Sequence, residues 1–270
     1  MEAVFKSFSS GSCGNCYFVG TMEDRHITSA VLVDAGVSPR RVKKELFRDS
    51  MSENDFSDIL ITHDHLDHIR SLGSFCKHLR RPVWATGVLH HALAHHTFCG
   101  EYITPCRREL ADREWNSIAG GHIEARYFQV PHDATQTVGY ALRLDGYKVV
   151  IMTDIGHMTE EALGFAAEAD TVVIESNYDR EMLLHGPYTE ELKQRILKGW
   201  GHLSNEACAC AVREFWHPGL RNIFLCHLSE NNNTPELALA ATRSALEAVG
   251  ATGTRLVALP RQTASPLFHL

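Results

Sequence analysis

The chain has 270 residues, with 26 Lys and Arg against 33 Asp and Glu, and the resulting formal net charge of −7 excludes a globally basic nucleic-acid coat protein. At 44% apolar and 22% charged residues it has enough hydrophobic chain to bury a large core and lies far from disordered compositions. No apolar run approaches the roughly 18 residues of a membrane helix, and the opening MEAVFKSFSSGS carries an early acid and no long apolar stretch, so a cytoplasmic protein with no membrane partner is expected.

Short β-like runs lead the chain at 4–8, 17–19, 30–33 and 58–62, the last around Ile59, Leu60 and Ile61. Helical periodicity appears at 39–47, opened by Ser38 and Pro39, and again at 67–79. His90, His91, His95 and His96 fall at helical spacing and read as a solvated helix face. Residues 105–119, rich in Arg and Glu, are expected to form an irregular loop. Strands follow at 123–130, 138–144 and 147–152, the last two joined through Asp145 and Gly146 as a hairpin turn. Helix and strand then alternate: helix 159–167 with acids at its start, strand 171–175, helices 189–198 and 205–215, strand 222–226, helix 235–249 and strand 255–258. Both halves carry sheet and helix, with no linker and no repeat between them. The fold class expected is α/β, one domain over 1–270, in which two mixed sheets pack face to face under outer helices as a four-layer αββα sandwich.

The eight cysteines read as reduced thiols, because a chain of this length needs no disulfide framework. Cys13 and Cys16 stand at CxxC spacing, but no second pair with ligand spacing accompanies them, and their Gly-containing string reads as a turn between strands. Cys208 and Cys210 read as packing residues of a helix. Histidine is the more telling excess, at 17 residues.

Six consecutive residues, HDHLDH at 63–68, hold four candidate metal ligands directly after the apolar strand. In an extended exit from a strand, His63 and His65 point the same way, while Asp67 and His68 fall where the next helix begins. Three further candidates also stand just after predicted strands: His132 in VPHD, Asp154 in MTD and His227 in LCHLS. Alone, each is an ordinary strand-terminal polar residue; together they mark one crevice.

This pattern resembles the metallo-β-lactamase fold superfamily, whose HxHxDH signature is matched by HDHLDH and whose later His, Asp and His follow in the same order. The resemblance implies that His63, His65 and His132 hold one metal, that Asp67, His68 and His227 hold a second, and that Asp154 lies between them. A nitrogen and oxygen ligand set makes Zn²⁺ the first choice of the two divalent ions, with Mn²⁺ or Fe²⁺ as alternatives. The fold hosts many chemistries, so accessory strings must narrow the function. SSGSCGNC at 9–16, AVLVDAG at 30–36, IESNYD at 174–179, GPYTEELKQRI at 186–196, GHLSN at 201–205 and HLSENNNTPELA at 227–238 resemble the YycJ/VicX (WalJ) subgroup. Cys13 departs from the Ser more usual there.

That subgroup resemblance implies a two-metal phosphodiesterase, a 5′-to-3′ exonuclease with DNA ahead of RNA as its nucleic-acid partner. Asp67 is then expected to orient the nucleophilic hydroxide, and His202 to supply a proton, oriented by Glu175. An alternative for His202 is a residue serving its own helix start, although Ser204 already offers the cap. Asp34 is expected to accept a hydrogen bond from a ligand histidine. Asn15, Ser204 and Asn232 are expected substrate contacts. Phosphate-tracking patches are sought at Arg40, Arg41, Lys43 and Lys44, at Arg80 and Arg81, and at Arg107, Arg108 and Arg113. A tRNA 3′-end type endonuclease, a small-molecule phosphodiesterase, a thioester or lactam hydrolase and a regulatory module without turnover remain alternatives.

Overall fold

The computed structural model describes residues 1–270, with the side chains of all but Lys198 and Trp200. Two seven-stranded sheets make the frame. The first contains β1 (Glu2–Gly11), β2 (Gly14–Glu23), β3 (His26–Val33), β4 (Asp58–Leu60), β5 (Val83–Ala85) and β6 (Arg107–Glu109). The second contains β7 (Asn116–Ile118), β8 (Ile123–Gln129), β9 (Val138–Leu144), β10 (Tyr147–Met152), β11 (Thr171–Glu175), β12 (Asn222–Cys226) and β13 (Arg255–Ala258), and the last strand, β14 (Phe268–His269), returns to pair with β1. The helices are α1 (Pro39–Arg48), α2 (Leu66–Ile69), α3 (Leu72–His78), α4 (Gly87–His95), α5 (Gly100–Ile103), α6 (Glu160–Ala166), α7 (Arg180–His185), α8 (Glu190–Arg195), α9 (Asn205–Phe215) and α10 (Pro235–Ala248). Among the described residues no helix is long and apolar enough to cross a membrane.

Each sheet is mixed in the same way. Antiparallel β1, β2 and β3 lead into parallel β3 to β6, and antiparallel β7 to β10 lead into parallel β10 to β13. Phe5, Tyr17, Val31, Tyr140 and Phe224 fill the space between the sheets. The outer face of the first sheet packs on residues such as Leu46, Leu72, Phe75 and Leu93 of α1, α3 and α4, and that of the second on Ala162, Cys208, Val212, Phe215 and Leu246 of α6, α9 and α10. Burying each such large apolar side chain contributes roughly 1.5–3 kcal/mol, which is why both faces of each sheet are covered. The observed layering is the αββα sandwich.

Several boundaries differ from expectation for tertiary reasons. The helix expected over 67–79 is two, α2 and α3, because the Ala35 N–H donates to His68 O (2.7 Å) and the Ser71 N–H donates to Ala35 O (2.9 Å), pairing the break with the exit of β3. The loop expected over 105–119 contributes an edge strand to each sheet, β6 and β7. Helix 189–198 ends at Arg195 in a wider turn whose Gly199 has φ 76°. His90 is buried with Nε2 2.7 Å from Arg108 O, so this residue is not part of a solvated face. Cys208 is buried as expected, but Cys210 is exposed.

Candidate metal centre

The carboxyl ends of β3, β4, β8, β10, β11 and β12 open onto one edge of the sandwich, and each places a polar residue there: Asp34, His63, His132, Asp154, Glu175 and His227. Loops leaving parallel strands diverge and leave a crevice, which is the general reason ligand sites form at such ends. The HDHLDH segment crosses this edge between β4 and α2. It fits there because Gly36 has no side chain; a Cβ at that position would lie 1.7 Å from Asp67 O. Asp34 and His227 both adopt positive φ, 64° and 52°, an uncommon conformation for non-glycine residues that turns the chain sharply at the end of its strand.

Every histidine of the predicted ligand set has one ring nitrogen engaged by an oxygen, and those partners assign the tautomers. His68 Nδ1 donates to Asp34 Oδ2 at 2.7 Å, and His63 Nδ1 donates to Thr62 Oγ1 at 3.0 Å. The Thr62 hydroxyl in turn donates to Asp34 Oδ2 at 2.9 Å. His65 Nε2 donates to Asp133 O at 2.7 Å, His132 Nδ1 to Gly201 O at 2.5 Å, and His227 Nδ1 to Glu175 Oε1 at 3.0 Å. The opposite nitrogens, Nε2 of His63, His68, His132 and His227 and Nδ1 of His65, are left to converge on one volume. His65 Nδ1 lies 3.3 Å from His132 Nε2, and Asp67 Oδ2 lies 3.4 Å from His227 Nε2.

Four overlapping groups suited to holding an ion emerge among the described residues: His63 with His65 and His132, Asp67 with His68 and His227, His63 with His68 and Asp154, and Asp154 with Glu175, His202 and His227; within each, the candidate ligand atoms lie within 4.8 Å of one another. Asp154 stands between the first two, its Oδ1 3.7 Å from His132 Nε2 and its Oδ2 3.1 Å from His68 Nε2. Asp154 Oδ2, close as it is to His68, and His63 Nε2 are both buried with no hydrogen-bond partner. Orphaned buried acceptors are costly in a closed fold, and a cation resolves both. The set therefore fits a divalent metal. Glu175 is also near, but Oε1 accepts from His202 Nδ1 (2.7 Å) and His227 Nδ1, while Oε2 accepts from the backbone N–H groups of Ile155 (2.9 Å) and Leu203 (3.1 Å). Its oxygens orient imidazoles.

Charge follows the same division. Burial, with help from neighbouring imidazoles, holds His63 well below the ordinary histidine range; burial also lowers His65 and His132 despite the pull of Asp154. Burial opposes the proton on His68 and His227 too, but Asp154 with Asp34 and Asp67 wins at His68, and Asp154, Asp67 and Glu175 bring His227 up to about 10. Burial alone would raise Asp154, Asp67 and Glu175, yet the surrounding imidazoles keep all three ionised, Asp154 strongly so. Buried carboxylates kept charged by protonated histidines are carboxylates that a metal ion can neutralise instead. His202 is raised: burial lowers it, and Glu175 more than reverses this.

The remaining expected site residues separate. Asp34 sits behind His68 as anticipated and also accepts the Thr62 N–H at 2.9 Å. Asn15 does not face a substrate. It is fully buried, its Oδ1 accepts from the Tyr17 hydroxyl (3.2 Å), and its Nδ2 donates to Asp67 Oδ2 (3.1 Å) and lies 2.9 Å from His68 Nε2. Ser204 is occupied as the cap of α9, accepting the Ala207 N–H at 3.1 Å. Asn232 lines a cleft beside the metal centre, as do His65, His132 and His202. Among the basic residues, Arg41 donates to Phe8 O (2.9 Å), Arg81 to Glu53 O (3.1 Å) and Arg107 to Glu109 Oε2 (2.8 Å), so these three are tied within the fold. Sequence reasoning missed Thr62, Ser10 and Tyr17; Ser10 Oγ accepts the His227 N–H (2.9 Å) and meets the Tyr17 hydroxyl (2.8 Å). Their only sequence signal is adjacency to strand ends.

Comparison with known proteins agrees with this fold. Residues 29–227 match the family described as a beta-lactamase superfamily domain. The chain is 35% identical over 250 residues to exodeoxyribonuclease YycJ of Bacillus anthracis, covering 93% of this chain and 91% of that protein. It is 32% identical over 234 residues to exodeoxyribonuclease WalJ of Streptococcus pneumoniae, covering 87% and 84% respectively. The crystal structure of the metallo-beta-lactamase fold protein YhfI from Bacillus subtilis superposes with a TM-score of 0.69 at 12% identity, over 98% of this chain and 99% of that one, a likeness of fold.

Proposed function

The chain belongs to the beta-lactamase superfamily, and on that premise we propose that it is a two-metal phosphodiester hydrolase acting on DNA as a 5′-to-3′ exonuclease. The observation that carries the reading is the convergence of five imidazoles, each anchored through its far nitrogen, with Asp67, Asp154 and the His202–Glu175 pair on one crevice. His63, His65 and His132 would hold one ion, and Asp67, His68 and His227 the other, with Asp154 between them; Zn²⁺ suits this nitrogen and oxygen set best. Divalent ions bound there would acidify water near neutral pH and draw charge from a phosphate oxygen.

The protein's own groups then divide the work. Hydrolysis forms a bond from water oxygen to phosphorus and breaks the bond from phosphorus to the leaving 3′-oxygen. Asp67, braced by Asn15, orients the water. His202, protonated by virtue of Glu175, delivers a proton from Nε2 to the leaving oxygen, and the proton lost by water restores it. The names of the similar proteins from Bacillus anthracis and Streptococcus pneumoniae support DNA as the substrate.

The deciding experiment incubates metal-loaded protein with 5′- and 3′-labelled duplex DNA, single-stranded DNA and precursor tRNA, beside Asp67→Ala and a chelated sample. Mononucleotides released from DNA 5′ ends, lost on chelation and reduced at least about 1,000-fold by Asp67→Ala, are expected. Cleavage confined to the tRNA, or equal rates for Asp67→Ala, would overturn the reading. Metal analysis of protein purified without added metal is expected to give two Zn²⁺ per chain.

A further inference from the structure

The cleft beside the metal centre offers about 210 Å³ and its two walls differ in chemistry. One wall is formed by His65, His132 and His202. The other is α7, α8 and the turn after it, where Tyr178, Leu183 and Ile196 make an apolar cluster of their own with Tyr188 packed half-buried against it. Asn232 lines the same cleft; it is 1% exposed, and its Oδ1 has no hydrogen-bond partner in the fold. The C-terminal end of α7 lies flush on this amide, since a Cβ at Gly186 would stand 2.4 Å from Oδ1. An aromatic ring and apolar side chains thus face the proton donor across one small space, while Asn232 Oδ1 is turned away from it under Gly186.

A ligand that satisfies both walls has a phosphate at the metal end and a planar, partly apolar ring at the other. A nucleotide has that form. The volume is below the roughly 300–1,000 Å³ of drug-sized ligand pockets, a size that suits a single nucleoside. Because His202 lines the cleft, the nucleoside inside it is the one whose oxygen leaves.

We propose that this cleft is the binding pocket for the terminal nucleoside of the strand being degraded, with the base packed on Tyr188. This rests on the phosphodiesterase reading above and adds the source of exonucleolytic stepping: the α7–α8 wall closes the cleft after a single unpaired nucleoside. Stacking on an aromatic ring accepts every base, which suits an enzyme that must proceed through any sequence.

The test compares metal-loaded full-length protein on a DNA strand with a normal terminal nucleotide and on the same strand ending in an abasic tetrahydrofuran residue. Binding of thymidine 5′-monophosphate and of deoxyribose 5-phosphate is measured in parallel by calorimetry. The normal end is expected to be cleaved with kcat/KM at least about tenfold higher, and the nucleotide to bind at least about tenfold tighter. Tyr188→Ser should remove most of both preferences and Tyr188→Phe should keep them, each with wild-type metal content and thermal unfolding. Equal cleavage of normal and abasic ends, or preferences unchanged by Tyr188→Ser, would overturn the pocket while leaving the phosphodiesterase reading intact. Nucleotide selectivity dependent on Tyr188 without cleavage of any DNA end would instead sink the nuclease reading and keep the pocket. Should Tyr188→Ser fail to fold, Tyr188→Leu, which keeps the apolar contact and lacks the ring, is subject to the same criteria.

Discussion

On the metal-facing side of the crevice each imidazole is held by an oxygen from a different element, and behind it stand the two sheets with Tyr140, Phe5 and Phe224 closed between them. Across the cleft, α7 and α8 rest on a small cluster of Tyr178, Leu183 and Ile196 that is separate from the three larger cores. The first region is over-determined because ligand atoms must be positioned before binding. The second has few apolar contacts and so belongs to the less stable end of the molecule, where substrate-facing elements are usually found.

The contrast is broken or sharpened most strongly at its junction, His202. His202→Gln is expected to lower kcat on DNA by about 10²–10⁴ with unchanged metal content. A p-nitrophenyl ester, whose leaving group needs no proton, should lose far less, and an equal loss on both substrates would make His202 a positioning residue only. Asp34→Asn comes next. Replacing one of the two acceptor oxygens behind His68 and Thr62 by a donor NH₂, with loss of the charge, should weaken metal binding about 10–100-fold in chelator competition, and a change below about threefold would contradict the buttressing argument.

Leu183→Ala tests the other wall. Its cavity should cost about 2 kcal/mol, the low end for Leu→Ala, because the small cluster can relax. KM for DNA is expected to rise a few-fold, with no change in metal affinity, whereas metal loss would show that the two regions are one unit. The smallest expected effect concerns pH in the metal-free protein. A histidine raised on folding stabilises fully below its unfolded value of about 6.5, and that stabilisation is lost as pH rises through the folded value. Because His227 is brought up to about 10 and His68 is also raised, melting temperature should fall between about pH 6.5 and 10. The depressed His63, His65 and His132 act oppositely, favouring the unfolded chain as pH drops below about 6.5. His227→Gln should flatten the alkaline decline, and an unchanged slope would remove the assigned charge.

Much of the candidate ligand cluster was legible because metal-binding residue types at strand ends leave a local trace. HDHLDH is a dense string after an apolar strand, and His132, Asp154 and His227 each follow a run of strand-forming residues. Asp34 was legible for the same reason, as the residue ending a buried strand. Asn15 was misread as a substrate contact because its neighbours in the chain form a hairpin, while the groups it touches, Asp67 and His68, lie more than fifty positions away. His90 was misread because a helical spacing of histidines does not show which of them meets the Arg108 carbonyl of a distant strand.

By itself the amino-acid order determined strand and helix periods, the histidine and aspartate side chains offered at the strand ends and the caps at Ser38, Thr159 and Ser204, since these depend on neighbours within a few residues. Only the tertiary structure decided which ring nitrogen of each histidine faces the crevice, that Glu175 serves both His202 and His227, and that α7 and α8 wall a cleft. Those facts depend on carbonyls and carboxylates brought together by sheet pairing, and pairing across long separations carries no local pattern in the chain.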